Sequence, residues 1–79
     1  MANKTVLLRD RDELICKITK AGLSYRQLAR KANCSQSQIS LILKGERNPS
    51  PLNAVNICKA LGCSFDEIFF IDFNYKSNS

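Results

Sequence analysis

Two short segments, each opened by the same cap and held three residues apart, constrain the fold of this 79-residue chain more than any other feature. Ser24 is followed three residues on by Gln27, and Ser35 by Gln38. In such a pair the hydroxyl accepts from the third amide of a new helix while the Gln side chain reaches back to the Ser amide. Between Lys31 and Ser35 stand only Ala32, Asn33 and Cys34, too few for anything but a sharp turn. Asn33 suits the corner, because Asn tolerates a left-handed backbone better than most residues. The spacing predicts helices over 24–31 and 35–44, the second closed by Gly45.

Leu28 and Ala29 mark the inner face of the first of these helices, and Ile39, Ile42 and Leu43 that of the second. Ala29 is small where two helices must cross closely. This pattern fits a plain αα-hairpin in a bundle, and it fits a helix-turn-helix whose second helix lies in the DNA major groove. Caps and periodicity alone leave both open.

The rest of the chain reads as helices too. Leu14, Ile15 and Ile18 give one apolar face to a helix over 9–21, with Gly22 as its stop and Thr5, Asp10 or Asp12 as its cap. Ser50-Pro51 supplies an N-cap with Pro at the first helical position. That helix is expected to bury Leu52, Val55, Cys58 and Leu61 and to stop at Gly62. Ser64 with Glu67 opens a short helix carrying Phe65, Ile68 and Phe69. Five helices make an all-α domain, too small to bury more than about 60–65% of its unfolded surface. Residues 1–8 read as an N-terminal arm, 9–70 as the domain and 71–79 as a C-terminal tail. Ile71, Phe73 and Tyr75 alternate as in a strand, but the segment also suits a fold-back over the core or an extension of the last helix. Residues 76–79 are expected to be disordered.

The net charge of +5 is unevenly spread. Lys17, Lys20, Arg26, Arg30, Lys31, Lys44 and Arg47 face Glu46 alone between residues 17 and 47, whereas the flanking segments nearly balance. A basic surface around the paired helices would attract a polyanion. Cys16, Cys34, Cys58 and Cys63 show no C-x-x-C spacing and the chain has no histidine, so the thiols read as reduced and buried, with no metal site. No acid, base and nucleophile stand together in motif context, which argues against an enzyme and for no cofactor. Apolar runs are far shorter than the roughly 20 residues of a membrane span, and no signal-peptide core is evident, so a soluble cytoplasmic protein is expected.

From Ala21 to Phe69 the chain resembles the Cro/CI-type (XRE-like) helix-turn-helix family of phage repressors and small bacterial regulators. The residues that carry this are Gly22-Leu23-Ser24, Leu28-Ala29, Ser35-Gln36-Ser37-Gln38-Ile39-Ser40 and Gly45-Glu46-Arg47-Asn48-Pro49-Ser50. Leu52, Ala60-Leu61-Gly62-Cys63-Ser64 and Asp66-Glu67-Ile68 continue the match. The resemblance implies a five-helix bundle of the lambda-repressor-like type and a sequence-specific transcriptional regulator, a repressor binding double-stranded DNA as a homodimer. A protein-interaction module or antitoxin-type subunit on the same fold is the competing expectation. Two positions depart from the family pattern. Tyr25 replaces a Gln that helps hold a phosphate. Ile18 and Leu43 replace an Arg and a Glu that form a partly buried ion pair, and an apolar pair can stand in for one without loss of stability.

With Ile39, Ile42 and Leu43 turned inward, the outer face of the second helix presents Gln36, Ser37, Ser40, Leu41 and Lys44. The resemblance carries base contact onto Gln36, Ser37, Ser40 and Leu41. Gln can pair bidentately with adenine, and an aliphatic side chain suits the thymine methyl group. Ser24, Tyr25, Ser35, Lys44, Arg47 and Asn48 are the expected phosphate contacts, with Arg26 and Lys20 ranked below them and Arg30 and Lys31 taken as surface charge. Phe70, Ile71, Phe73 and Tyr75 form an apolar cluster at the end of a small protein, where a dimer interface is expected. No small-molecule ligand and no membrane partner are indicated.

Overall fold

The computed structural model describes residues 3–75, without the side chains of Asn3, Asn74 and Tyr75. Residues 76–79, expected to be disordered, lie outside the described residues. Five helices run in the expected order: α1 (Arg11–Lys20), α2 (Tyr25–Lys31), α3 (Gln36–Lys44), α4 (Pro51–Leu61) and α5 (Phe65–Ile68). Asp10 is the residue that caps α1, its carboxylate accepting from the Asp12 amide at 2.9 Å. Gly22, Gly45 and Gly62 all take the left-handed conformation just past α1, α3 and α4.

The domain is not wholly α-helical. Strands β1 (Asn3–Leu8) and β2 (Phe69–Tyr75) pair antiparallel into a two-stranded sheet, with Val6 opposite Ile71 and Leu8 opposite Phe69. The segment expected as a plain arm is therefore a strand, and the tail is its partner. Val6 drives the pairing from one side, since it is only 5% exposed, and Phe69 from the other, at 0%. Directly opposed residues share a face of a sheet, so Val6, Leu8, Phe69 and Ile71 point the same way, while Phe73 lies where the register shifts. Phe69 anchors that face in the core, but Ile71 and Phe73 run past it and are exposed. On the opposite face the Arg9 guanidinium lies 5.4 Å from the centre of the Phe70 ring.

Helix α4 turns inward only partly as expected: Cys58 is buried and Leu61 packs on the core, but Leu52 and Val55 do not. Ala54, Ile57 and Cys58 are buried, whereas Leu52 is 68% exposed and Val55 39%. Apolar residues occur on both sides of this helix, so helical spacing alone selects neither stripe. The burial that decides it comes from α2, which packs against α4. A polar tie reinforces the contact, for the Asn56 amide donates to the Ala32 carbonyl at 3.3 Å.

At the other end of the bundle, Lys17 of α1 joins Glu13 at 3.6 Å and Glu67 of α5 at 3.2 Å. Hydrogen bonding from the Ser64 backbone, then from Lys17, holds the Glu67 carboxyl below its ordinary value. The same hydrogen bond to Glu67 raises Lys17. Ser64 donates to the Glu67 carboxylate from both its amide and its hydroxyl, at 2.7 and 3.0 Å. The thiol of Cys58, buried where α4 ends, is pushed up to about 12 by desolvation and stays un-ionised at neutral pH. Among the described residues no helix is long and apolar enough to cross a membrane.

Candidate nucleic-acid interface

The α2–α3 pair is built as its sequence implies. Both caps close reciprocally. Ser24 accepts from the Gln27 amide at 3.1 Å while its own amide donates to Gln27 Oε1 at 2.9 Å. Ser35 and Gln38 repeat this at 3.1 and 3.0 Å. Asn33 turns the corner at φ 60°, the one non-glycine with positive φ among the described residues. The Cys34 amide then donates back to the Ala29 carbonyl at 2.9 Å and closes the end of α2. Leu28, Ala29 and Ala32 fill the space between the two helices at 0–2% exposure. Ile39, Ile42 and Leu43 anchor α3 from its inner side.

Rigid anchoring on one side fixes what the other side offers. Gln36, Ser37 and Lys44 are exposed, and Ser40 and Leu41 are half-buried. All five line one shallow groove along α3. The four expected base-contact residues and Lys44 are thus brought together on a single polar face with one aliphatic side chain in it. The α3 N-terminus, where Gln36 and Ser37 sit, also offers amides that no side chain caps.

The six expected phosphate residues are spread around this face. Gly45 reverses the chain at φ 77°, and the loop beyond it carries Arg47 and Asn48, both exposed, towards α4. The Ser24 hydroxyl is already an acceptor in its cap, which leaves it a proton to donate outward, whereas the Ser35 hydroxyl both accepts in its cap and donates to Gln38 Oε1 at 3.5 Å. Tyr25 is half-buried and packs on the edge of the core, so its ring is held rather than free. Among the described residues Lys44, Arg47, Arg26 and Arg30 join no ion pair. Glu46, between Lys44 and Arg47 in sequence, is the one acid among residues 17–47, so the excess charge around α3 stays positive.

Two residues that sequence reasoning ranked low or set aside stand close to the start of α3. Arg26 and Arg30 line a hollow with Asn33, Cys34, Ser35 and Gln36. The signal was their spacing, four residues apart on the exposed side of α2. Asn56, whose tie to Ala32 supports the turn from below, carried no signal at all in its local sequence. The expected interface residues of the tail are divided. Ile71 and Phe73 are 44% and 57% exposed, Phe70 is half-buried beside Arg9, and the side chain of Tyr75 lies outside the described ones.

Comparison with known proteins agrees with this geometry. Residues 16–68 match the helix-turn-helix family. No curated protein matches the sequence. Among solved structures, the restriction-modification controller protein C.AhdI from Aeromonas hydrophila is similar, with a TM-score of 0.67 and 28% identity. The similarity covers 72% of this chain and 83% of that one. Over two thirds of its length, and through the capped pair that carries the basic groove, the chain belongs to the Cro/CI-type (XRE-like) helix-turn-helix family and is a DNA-binding transcriptional regulator.

Proposed function

We propose that this regulator acts as a repressor, binding a (pseudo)palindromic operator as a homodimer, with α3 in the major groove. The observation that carries this reading is the groove of Gln36, Ser37, Ser40, Leu41 and Lys44 on a firmly anchored helix. Gln36 and Ser37 enter first and meet base edges, Leu41 meets a thymine methyl group, and Ser24, Tyr25, Ser35, Lys44, Arg47 and Asn48 hold phosphates on either side. Selection of bound sequences from a random duplex pool tests it. A recovered site with two inverted half-sites is the expected result. Gln36→Ala should then weaken binding to that site by about 1–3 kcal/mol and leave binding to random duplex nearly unchanged. An unchanged preference in that variant would mean that α3 docks otherwise.

One recognition helix reads only a few base pairs, so useful specificity calls for two half-sites and two subunits. The second subunit docks on the apolar end of the molecule. Ile71 and Phe73 of β2 support this, joined by Leu52 and Val55 of α4, which were expected in the core. Val55 and Ile71 face each other across a groove also lined by Val6, Pro51 and Phe65. A two-fold axis would apply this one surface to itself and leave both α3 helices free, about 34 Å apart. Phe73→Asp should convert a dimer to a monomer in sedimentation at micromolar concentration without loss of helical signal. A variant that stays dimeric would move the interface elsewhere.

A further inference from the structure

Strand β1 brings the chain's N-terminal segment beside the loop that follows α3. Between them lies a hollow of about 320 Å3, as apolar as it is polar, whose polar side is lined by Lys4, Thr5, Gln38, Arg47, Asn48 and Asn53. Among the described residues no acidic side chain lines it. Two exposed cations, Lys4 and Arg47, therefore line one hollow and offer an anion positive charge from two sides.

The position of the hollow says which anion. Gln38 stands about 60° around α3 from Leu41, at 100° per residue, so the hollow borders the reading face directly. A helix in the major groove has a phosphate backbone running along each of its sides, the groove being about 12 Å wide. Arg47 and Asn48 already stand where such a backbone would pass. Lys4 itself lies at a shift in the strand register and has no direct partner, but it is kept near the same place by the pairing of Asn3 and Thr5 on either side and by burial of Val6, two residues further on. It also borders the apolar groove of Val55 and Ile71. A lysine suits that boundary, with methylenes against the apolar side and the ammonium on the polar one.

We propose that Lys4 is a phosphate contact, and that the hollow it shares with Arg47 and Asn48 seats one phosphodiester of the DNA strand alongside α3. The proposal rests on the docking of α3 in the major groove. It gives the sheet a part in DNA binding, because β2 is what keeps Lys4 in place.

The test is the salt dependence of binding by the full chain, to its selected site and to random duplex. Lys4→Ala should weaken both alike, by roughly three- to tenfold, and lower the log–log salt slope by about one per subunit. Lys4→Arg should keep affinity and slope. Lys59→Ala, which removes an exposed charge in the last turn of α4, should leave the slope as it is. A Lys4→Ala slope equal to wild type, with Arg47→Ala reduced, would overturn the role of Lys4 alone. Equal losses in Lys4→Ala and Lys59→Ala would overturn it as well, by showing a general charge effect. If Arg47→Ala also kept the wild-type slope, the docking itself would be wrong.

Discussion

Raising salt from 50 to 200 mM should weaken operator binding by about 10²–10⁴-fold. Two to four phosphate contacts per subunit in a dimer give a log–log slope of roughly −4 to −7, because each neutralised phosphate releases condensed counterions. The molecule supplies the cations required for this: Lys44 and Arg47 at the end of α3, in no ion pair among the described residues, and Arg26 and Arg30 beside its start. Titration of labelled operator at four or five salt concentrations measures the slope. A nearly flat dependence would favour the competing reading, in which the same face meets a protein partner through few charges.

Truncation of Ile18 or Leu43 to Ala should each lower stability by about 2–4 kcal/mol in urea unfolding. Both side chains belong to the one core of the domain, at 2% and 6% exposure. A domain this small has only several kcal/mol in total, so either change takes a large share. These are the positions where similar regulators carry an ion pair. Restoring it here as Ile18→Arg with Leu43→Glu should therefore cost less than Leu43→Glu alone, which leaves a buried charge without a partner. Equal losses in the single and double variants would show that the two positions do not act as a pair.

Caps and stops were legible because they are local. Ser24, Ser35 and Ser50 each signal a helix start within four residues, and a glycine after each long helix signals its end. The outer face of α3 followed from them, since once Ile39, Ile42 and Leu43 face inward the outer residues have no freedom. The alternation of Ile71, Phe73 and Tyr75 was legible as one option for the tail, and β2 bears it out, but its partner was not. Val6 and Ile71 are partners across most of the chain, and no window of periodicity spans that distance. The expected positions of Leu52 and Val55 in α4 failed for another reason. With Leu52, Val55, Ile57, Cys58 and Leu61 all apolar, two stripes compete, and only the packing of α2 decides between them. The same two misses conceal the apolar end of the molecule and Lys4, because both depend on where the sheet lies.

The sheet also sets an order of events during synthesis. Helices α1 to α4 are made of contacts close in sequence, and such contacts form fast. β1 leaves the ribosome before any of them, yet its partner is β2, so it must wait while roughly sixty residues are added at about 5–20 per second. Until translation passes β2, Lys4 has no fixed position and Ile71 and Phe73 do not exist on the chain. The paired helices α2 and α3 can thus fold before the proposed dimer surface is complete. On that proposal, pairing of subunits on the ribosome waits for the end of this segment, and a product interrupted within α5 would carry α3 without the surface that would double it.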